Sequence, residues 1–164
     1  MPEEEDALMD PDVRLDLIAR YRDGHRVVED ALQGITPDEL DAQSTPGEWS
    51  ACQVVHHLAD SEMTSAIRLR RLIAENDPQI DGYDEEGFAE RLHYDRPIEA
   101  SLDALGASRA TTTEILERLS EDEWSRAGSH SEIGPYGVET WLEIYASHAH
   151  DHAEQIRRAR GTRS

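Results

Sequence analysis

The sequence predicts an all-α protein: an antiparallel four-helix bundle with a long crossover between its second and third long helices. Three observations carry this reading. Four segments of roughly 23 to 26 residues repeat apolar side chains at helical spacing, proline- and glycine-bearing connections separate them, and strand-like alternation is scarce. Helices of that length, each about 35 to 39 Å long, fit a bundle whose core can hold a site. A chain of 164 residues suits one domain, 1–164, with short flexible ends at 1–9 and 161–164.

The first helix is expected at 11–33. Asp10 stands as its cap, Pro11 occupies the first helical position, and Val13, Leu17, Tyr21, Val28 and Leu32 form its apolar stripe. The second runs from Ser50 to Glu75 and is broken by Asn76, Asp77 and Pro78. A short helix at 84–92 falls within the crossover. The third long helix is expected at 97–119 and the fourth at 138–160. The two halves echo each other: "EDALQGITPDELD" and "TEILERLSEDEWS" each end a long helix and place Thr36 or Ser120 as the cap of a short acidic turn.

With 36 acidic against 16 basic residues, all of the latter arginine, the formal charge is −20. That charge repels phosphate backbones and anionic lipid surfaces, so neither nucleic acid nor membrane is an expected partner. The single cysteine, Cys52, excludes an internal disulfide framework, and no apolar run approaches the roughly 18 residues of a membrane span. A soluble, cytoplasmic protein is the expectation.

The chemistry concentrates in histidines. "YASHAHDHAEQIRR" carries His148, His150 and His152 on the fourth helix, whose stripe follows Trp141, Tyr145, Ile156 and Ala159. At about 100° per residue, His148 lies about −60° from Tyr145, His152 about −20° and Gln155 about −80°, whereas His150 lies about 140° away. His148 and His152 therefore point inward and His150 outward. On the second helix "VVHHLADSE" supplies His56 and His57; relative to Leu58, His57 lies about −100° and His56 about 160°, so His57 is placed at the edge of the buried face and His56 in solvent. Three neutral imidazoles from two helices can hold a divalent ion with open coordination positions, or can be three hydrogen-bonded core histidines. Spacing alone leaves both open.

Other residues carry two readings each. Glu62 points inward, either as a base or ligand-orienting acceptor or as half of a helix-connecting ion pair. Gln155 either contacts substrate or orients a ligand, or is a structural hydrogen bonder. Arg68 and Arg71 can receive an anionic cosubstrate or form a solvated face with intrahelical pairs. Cys52 faces away from the histidines and reads as a packing residue. Trp49, Trp124 and Trp141 read as bundle-end and core anchors.

The ordered combination of "GEWSACQVVHHLADSE", "RLRRLIAENDP" and "HAHDHAEQIRR" resembles the DinB-like superfamily, including YfiT-type proteins, over nearly the whole chain. The resemblance implies a four-helix-bundle metalloprotein with His57, His148 and His152 as ligands, the residues that helix phasing selects. It departs from many relatives in having Asp151 before His152. It also implies a divalent ion (zinc, nickel or iron, zinc or nickel foremost) and a transferase that joins a low-molecular-weight thiol of the bacillithiol or mycothiol kind to an electrophilic small molecule, in a possible homodimer. A metal-dependent hydrolase and a non-enzymatic ligand- or partner-binding bundle are the competing expectations.

Overall fold

Caps and prolines set the helix starts. In a computed structural model, which describes residues 8–161, the chain runs α1 (Pro11–Leu32), α2 (Pro37–Asp41), α3 (Ala51–Ala74), β1 (Gln79–Ile80), α4 (Glu85–Arg91), α5 (Glu99–Leu116), α6 (Glu121–Trp124), β2 (Ala127–His130), β3 (Gly134–Gly137) and α7 (Val138–Ala159). The Asp10 carboxylate accepts from the Asp12 amide at the start of α1. Thr36 with Glu39, Ser50 with Gln53 and Ser120 with Glu123 each close a reciprocal capping box. The expected flexible ends fall largely outside the described residues, although the Met9 amide donates to Glu139 at 3.0 Å.

The four long helices form the expected four-helix bundle with its crossover, antiparallel across two of its four neighbouring pairs, and its cross-links show their directions. Trp141 Nε1 donates to the Ser65 carbonyl while the His57 ring packs against His152, so α3 and α7 run antiparallel. Arg22 reaches Glu117, and His25 faces Gly106, so α1 and α5 are antiparallel as well. The other two neighbouring pairs are parallel. Arg14 pairs with Glu139 and Arg160 donates to the Ala31 carbonyl across α1 and α7, whereas His56 meets Ser101 and Arg70 meets Thr112 across α3 and α5. A parallel α3–α5 pair obliges the chain to return the length of the bundle, which is the task of the crossover at 75–98.

The apolar core has two clusters. One surrounds Tyr21, Leu69, Leu72, Trp141 and Leu142; the other surrounds Val28, Val54, Val55, Leu58, Leu105 and Ile156. Between them lies a buried polar layer of Glu62, Ser65, Arg109, Thr112 and Thr113. The first-helix stripe departs from expectation at one end: Val13 is 47% exposed and Arg14 is buried instead. Its guanidinium pairs with Glu121 and Glu139 and lies over the Trp124 ring, which compensates for taking a cation out of water.

A small sheet is the element that sequence periodicity did not announce. β1 pairs parallel with β2, and β2 antiparallel with β3. Strands of two to four residues, "QI", "AGSH" and "GPYG", are too short and too rich in glycine for alternation to register. Gly128 is required there, because a Cβ would sit 2.2 Å from the Pro78 carbonyl oxygen. The sheet fastens the crossover to the segment before α7. No described helix is long and apolar enough to cross a membrane.

Candidate metal centre

The antiparallel crossing of α3 and α7 sets His57 opposite His148 and His152. One ring nitrogen from each lies within 4.8 Å of the other two. The ring centroids of His57 are 4.8 Å from His152 and 5.6 Å from His148, and those of His148 and His152 are 4.6 Å apart. His57 is only 2% exposed, deeper than the edge position its phase predicts.

The donor set fits a divalent ion. Nε2 of His148 and Nε2 of His152 face each other at 3.2 Å, close to the roughly 3.3 Å that separates two nitrogens at corners of a tetrahedron about zinc. Nδ1 of His57 and Nδ1 of His148 are buried without a hydrogen-bond partner among the described residues. Burial, reinforced by His152, lowers the His57 pKa to about 4; burial, with His152, His57 and Arg109 adding to it, lowers that of His148 to about 3. Burial also lowers His152. All three are thus held as neutral imidazoles, the form that ligates metal.

Gln155 orients one of them. Its Oε1 accepts from His152 Nδ1 at 2.6 Å, leaving the Nε2 lone pair toward the cluster. His150 stays outside: it donates from Nε2 to the Arg20 carbonyl on α1 at 3.0 Å.

Two sequence expectations are overturned here. His56 is fully buried, not solvated; its Nε2 donates to the Arg96 carbonyl at 2.8 Å and its Nδ1 accepts from Ser101 at 2.7 Å. A single-stripe reading fails for α3 because α7 covers one side while α5 and the crossover cover the other. Trp49 is not merely a bundle-end anchor, since its ring lies 4.9 Å from that of His57 and walls the site. Trp124 and Trp141 are buried anchors as expected.

Glu62 takes the ion-pair reading. Fully buried, it accepts from Arg109 Nε at 2.8 Å and from the Tyr21 hydroxyl, so it is not free to serve as a base at the metal centre. Arg71 pairs with Glu75 one turn along α3, the solvated-face alternative. Arg68 differs: its Nη1 donates to the Tyr145 hydroxyl at 3.3 Å, beside His148. Cys52 is a packing residue whose thiol donates to the Tyr94 carbonyl at 3.1 Å, and burial pushes its pKa up.

The DinB superfamily profile matches residues 20–156, which include all three clustered histidines. The chain belongs to the DinB superfamily. It is 34% identical, over 85% of its length and 81% of the relative's, to an Oceanobacillus iheyensis protein named "Putative metal-dependent hydrolase". A Bacillus cereus protein of the same name is 30% identical over 77% of this chain and 73% of its own. Among solved structures, YfiT from Bacillus subtilis, described as "a probable metal-dependent hydrolase with an unusual four-helix bundle topology", superposes with a TM-score of 0.86 at 27% identity, covering 99% of this chain and 94% of that one. TT2238, a four-helix bundle protein, shares the fold with a TM-score of 0.63 at 22% identity, covering 88% of this chain and 98% of its own.

Within this DinB fold, sequence reasoning passed over Arg109. It lies fully buried in "LGASRATTT", where small residues hide any apolar stripe, and it also donates to the Tyr21 and Tyr145 carbonyls. The signal that could have found it is Gly24 on α1, where a Cβ would meet Arg109 Nη1 at 2.2 Å.

Proposed function

We propose that the protein is a metal-dependent transferase that joins a low-molecular-weight thiol to an electrophilic small molecule, with His57, His148 and His152 holding a divalent ion, zinc or nickel in first place. The observation that carries this is the convergence of three neutral imidazoles, His57 buried and His148 and His152 half-buried, whose ring nitrogens approach within 4.8 Å. When bound, such an ion supplies a Lewis acid that lets a thiol or water deprotonate near neutral pH.

The residues around the cluster favour the thiol. A thiol has an ordinary pKa of about 8.5 and needs little help to ionise, whereas water benefits more from a nearby base. The inward carboxylate of α3, Glu62, is engaged by Arg109 and Tyr21. Gln155 holds the proton on His152 Nδ1, so the tautomer is set before any ligand arrives. Trp49 and Tyr145 pack against His57 and His148 and flank the cluster with aromatic surface.

A hydrolase that uses water as the nucleophile is the second reading, favoured by the names of the relatives. The two separate in one assay: turnover of electrophilic test compounds by metal-loaded protein, with and without a panel of small thiols. The transferase reading requires product that contains the thiol. Equal turnover without thiol contradicts it and favours hydrolysis.

A further inference from the structure

Alongside the histidines lies a second group of polar side chains that the metal does not explain. The Tyr145 ring is 5.6 Å from that of His148, and its hydroxyl accepts from Arg68 Nη1. Arg68 Nη2 donates to the Asp81 carbonyl at 2.8 Å, which anchors the guanidinium against the crossover. Its carbon lies 5.9 Å from the centroid of the Tyr83 ring.

Two features mark this group as unfinished. Arg68 makes no ion pair among the described residues, although the chain carries 36 carboxylates to 16 guanidinium groups. In addition, Arg68 Nε and the Tyr83 hydroxyl are buried without a hydrogen-bond partner among the described residues. A buried donor left unpaired costs free energy unless a ligand accepts from it. Burial raises the pKa of Tyr83, so this phenol keeps its proton and can donate.

We propose that Arg68, Tyr83 and Tyr145 form a subsite for a carboxylate on the thiol cosubstrate, so that the sulfur reaches the three histidines while the carboxylate is held beside them. This rests on the thiol reading above. A monoanion fits better than a phosphate dianion, because one guanidinium supplies the positive charge. A planar carboxylate also matches the fork of guanidinium N–H groups.

The test uses the full chain loaded with cobalt(II), whose absorption reports a thiolate entering its coordination sphere, titrated with 3-mercaptopropionate and with 2-mercaptoethanol. The carboxylate-bearing thiol binds about tenfold more tightly or better to the parent, the size expected of a charge-assisted hydrogen-bonded pair. Arg68→Met abolishes that preference while leaving 2-mercaptoethanol affinity unchanged, which also shows that the variant is folded. Arg68→Lys keeps part of it, and Arg71→Met keeps all of it. Equal affinities in the parent overturn this inference alone. So does a preference that survives Arg68→Met, because the carboxylate is then ligating the metal directly. Spectra unmoved by either thiol overturn the thiol reading and this inference with it.

Discussion

Two polar clusters lie side by side in this bundle, sharing α3, and they differ in how fully they satisfy themselves. Glu62, Arg109 and Tyr21 answer one another: the carboxylate accepts from Arg109 and Tyr21, and the remaining guanidinium donors reach the Tyr21 and Tyr145 carbonyls. His57, His148 and His152, one or two turns away, leave two ring nitrogens unpartnered and turn two others toward each other. The first cluster is complete and reads as architecture. The second is left open, with donors that a group from outside the chain would complete. Burial alone therefore does not mark a site; unsatisfied burial does.

Disabling the self-contained cluster should have the largest effect. Arg109→Met leaves the Glu62 carboxylate buried without its cation and should lower unfolding free energy by about 3–5 kcal/mol in a denaturant titration. Metal content of the fraction that remains folded should persist. If stability holds and metal is lost instead, Arg109 belongs to the site and the division is wrong.

Acid should act on the histidine cluster. In the metal-free protein the pKa values of His57 and His148 lie at about 4 and about 3, below the ordinary value of 6.5. Above pH 6.5 both the folded and the unfolded chain hold these rings neutral. As pH falls from there toward 4, the unfolded chain takes up protons that the folded one refuses, so stability is lost, by up to about 1.4 kcal/mol per pH unit per histidine. Thermal unfolding of metal-free protein between pH 7 and pH 4 should show a slope that His148→Ala reduces. An unchanged slope in that variant would show the ring is not held neutral by burial.

Smaller effects grade the roles within α7. Gln155→Ala should weaken metal affinity by about 10- to 100-fold in a competitive chelator titration, with little change in fold. His150→Ala should leave metal affinity unchanged and cost about 0.5–1.5 kcal/mol for its lost bond to the Arg20 carbonyl. A metal defect in His150→Ala equal to that of Gln155→Ala would contradict the assigned direction of the ring.

Much of this arrangement is legible in the sequence wherever one helix presents one buried face. The phase of α7 separates His148 and His152 from His150, because its stripe of Trp141, Tyr145 and Ile156 keeps to one buried face along the helix. On α3 the same reasoning places His57 but misplaces His56, because a helix packed on opposite sides has no solvent face at that level. Arg109 escapes detection for a related reason: its partners come from three other helices and leave no local pattern. Arg14 and Val13 exchange their expected places because paired charge, not hydropathy, decides burial at that end of α1.

The proposed ligand set is His57, His148 and His152, without His56 or His150. It is tested most directly by metal stoichiometry, measured by elemental mass spectrometry on untagged protein offered divalent ions and then desalted. The parent and His150→Ala should each retain about one ion per chain, and His57→Ala, His148→Ala and His152→Ala should each retain close to none. A parent that retains no metal, or single variants that retain as much as the parent, would contradict the account.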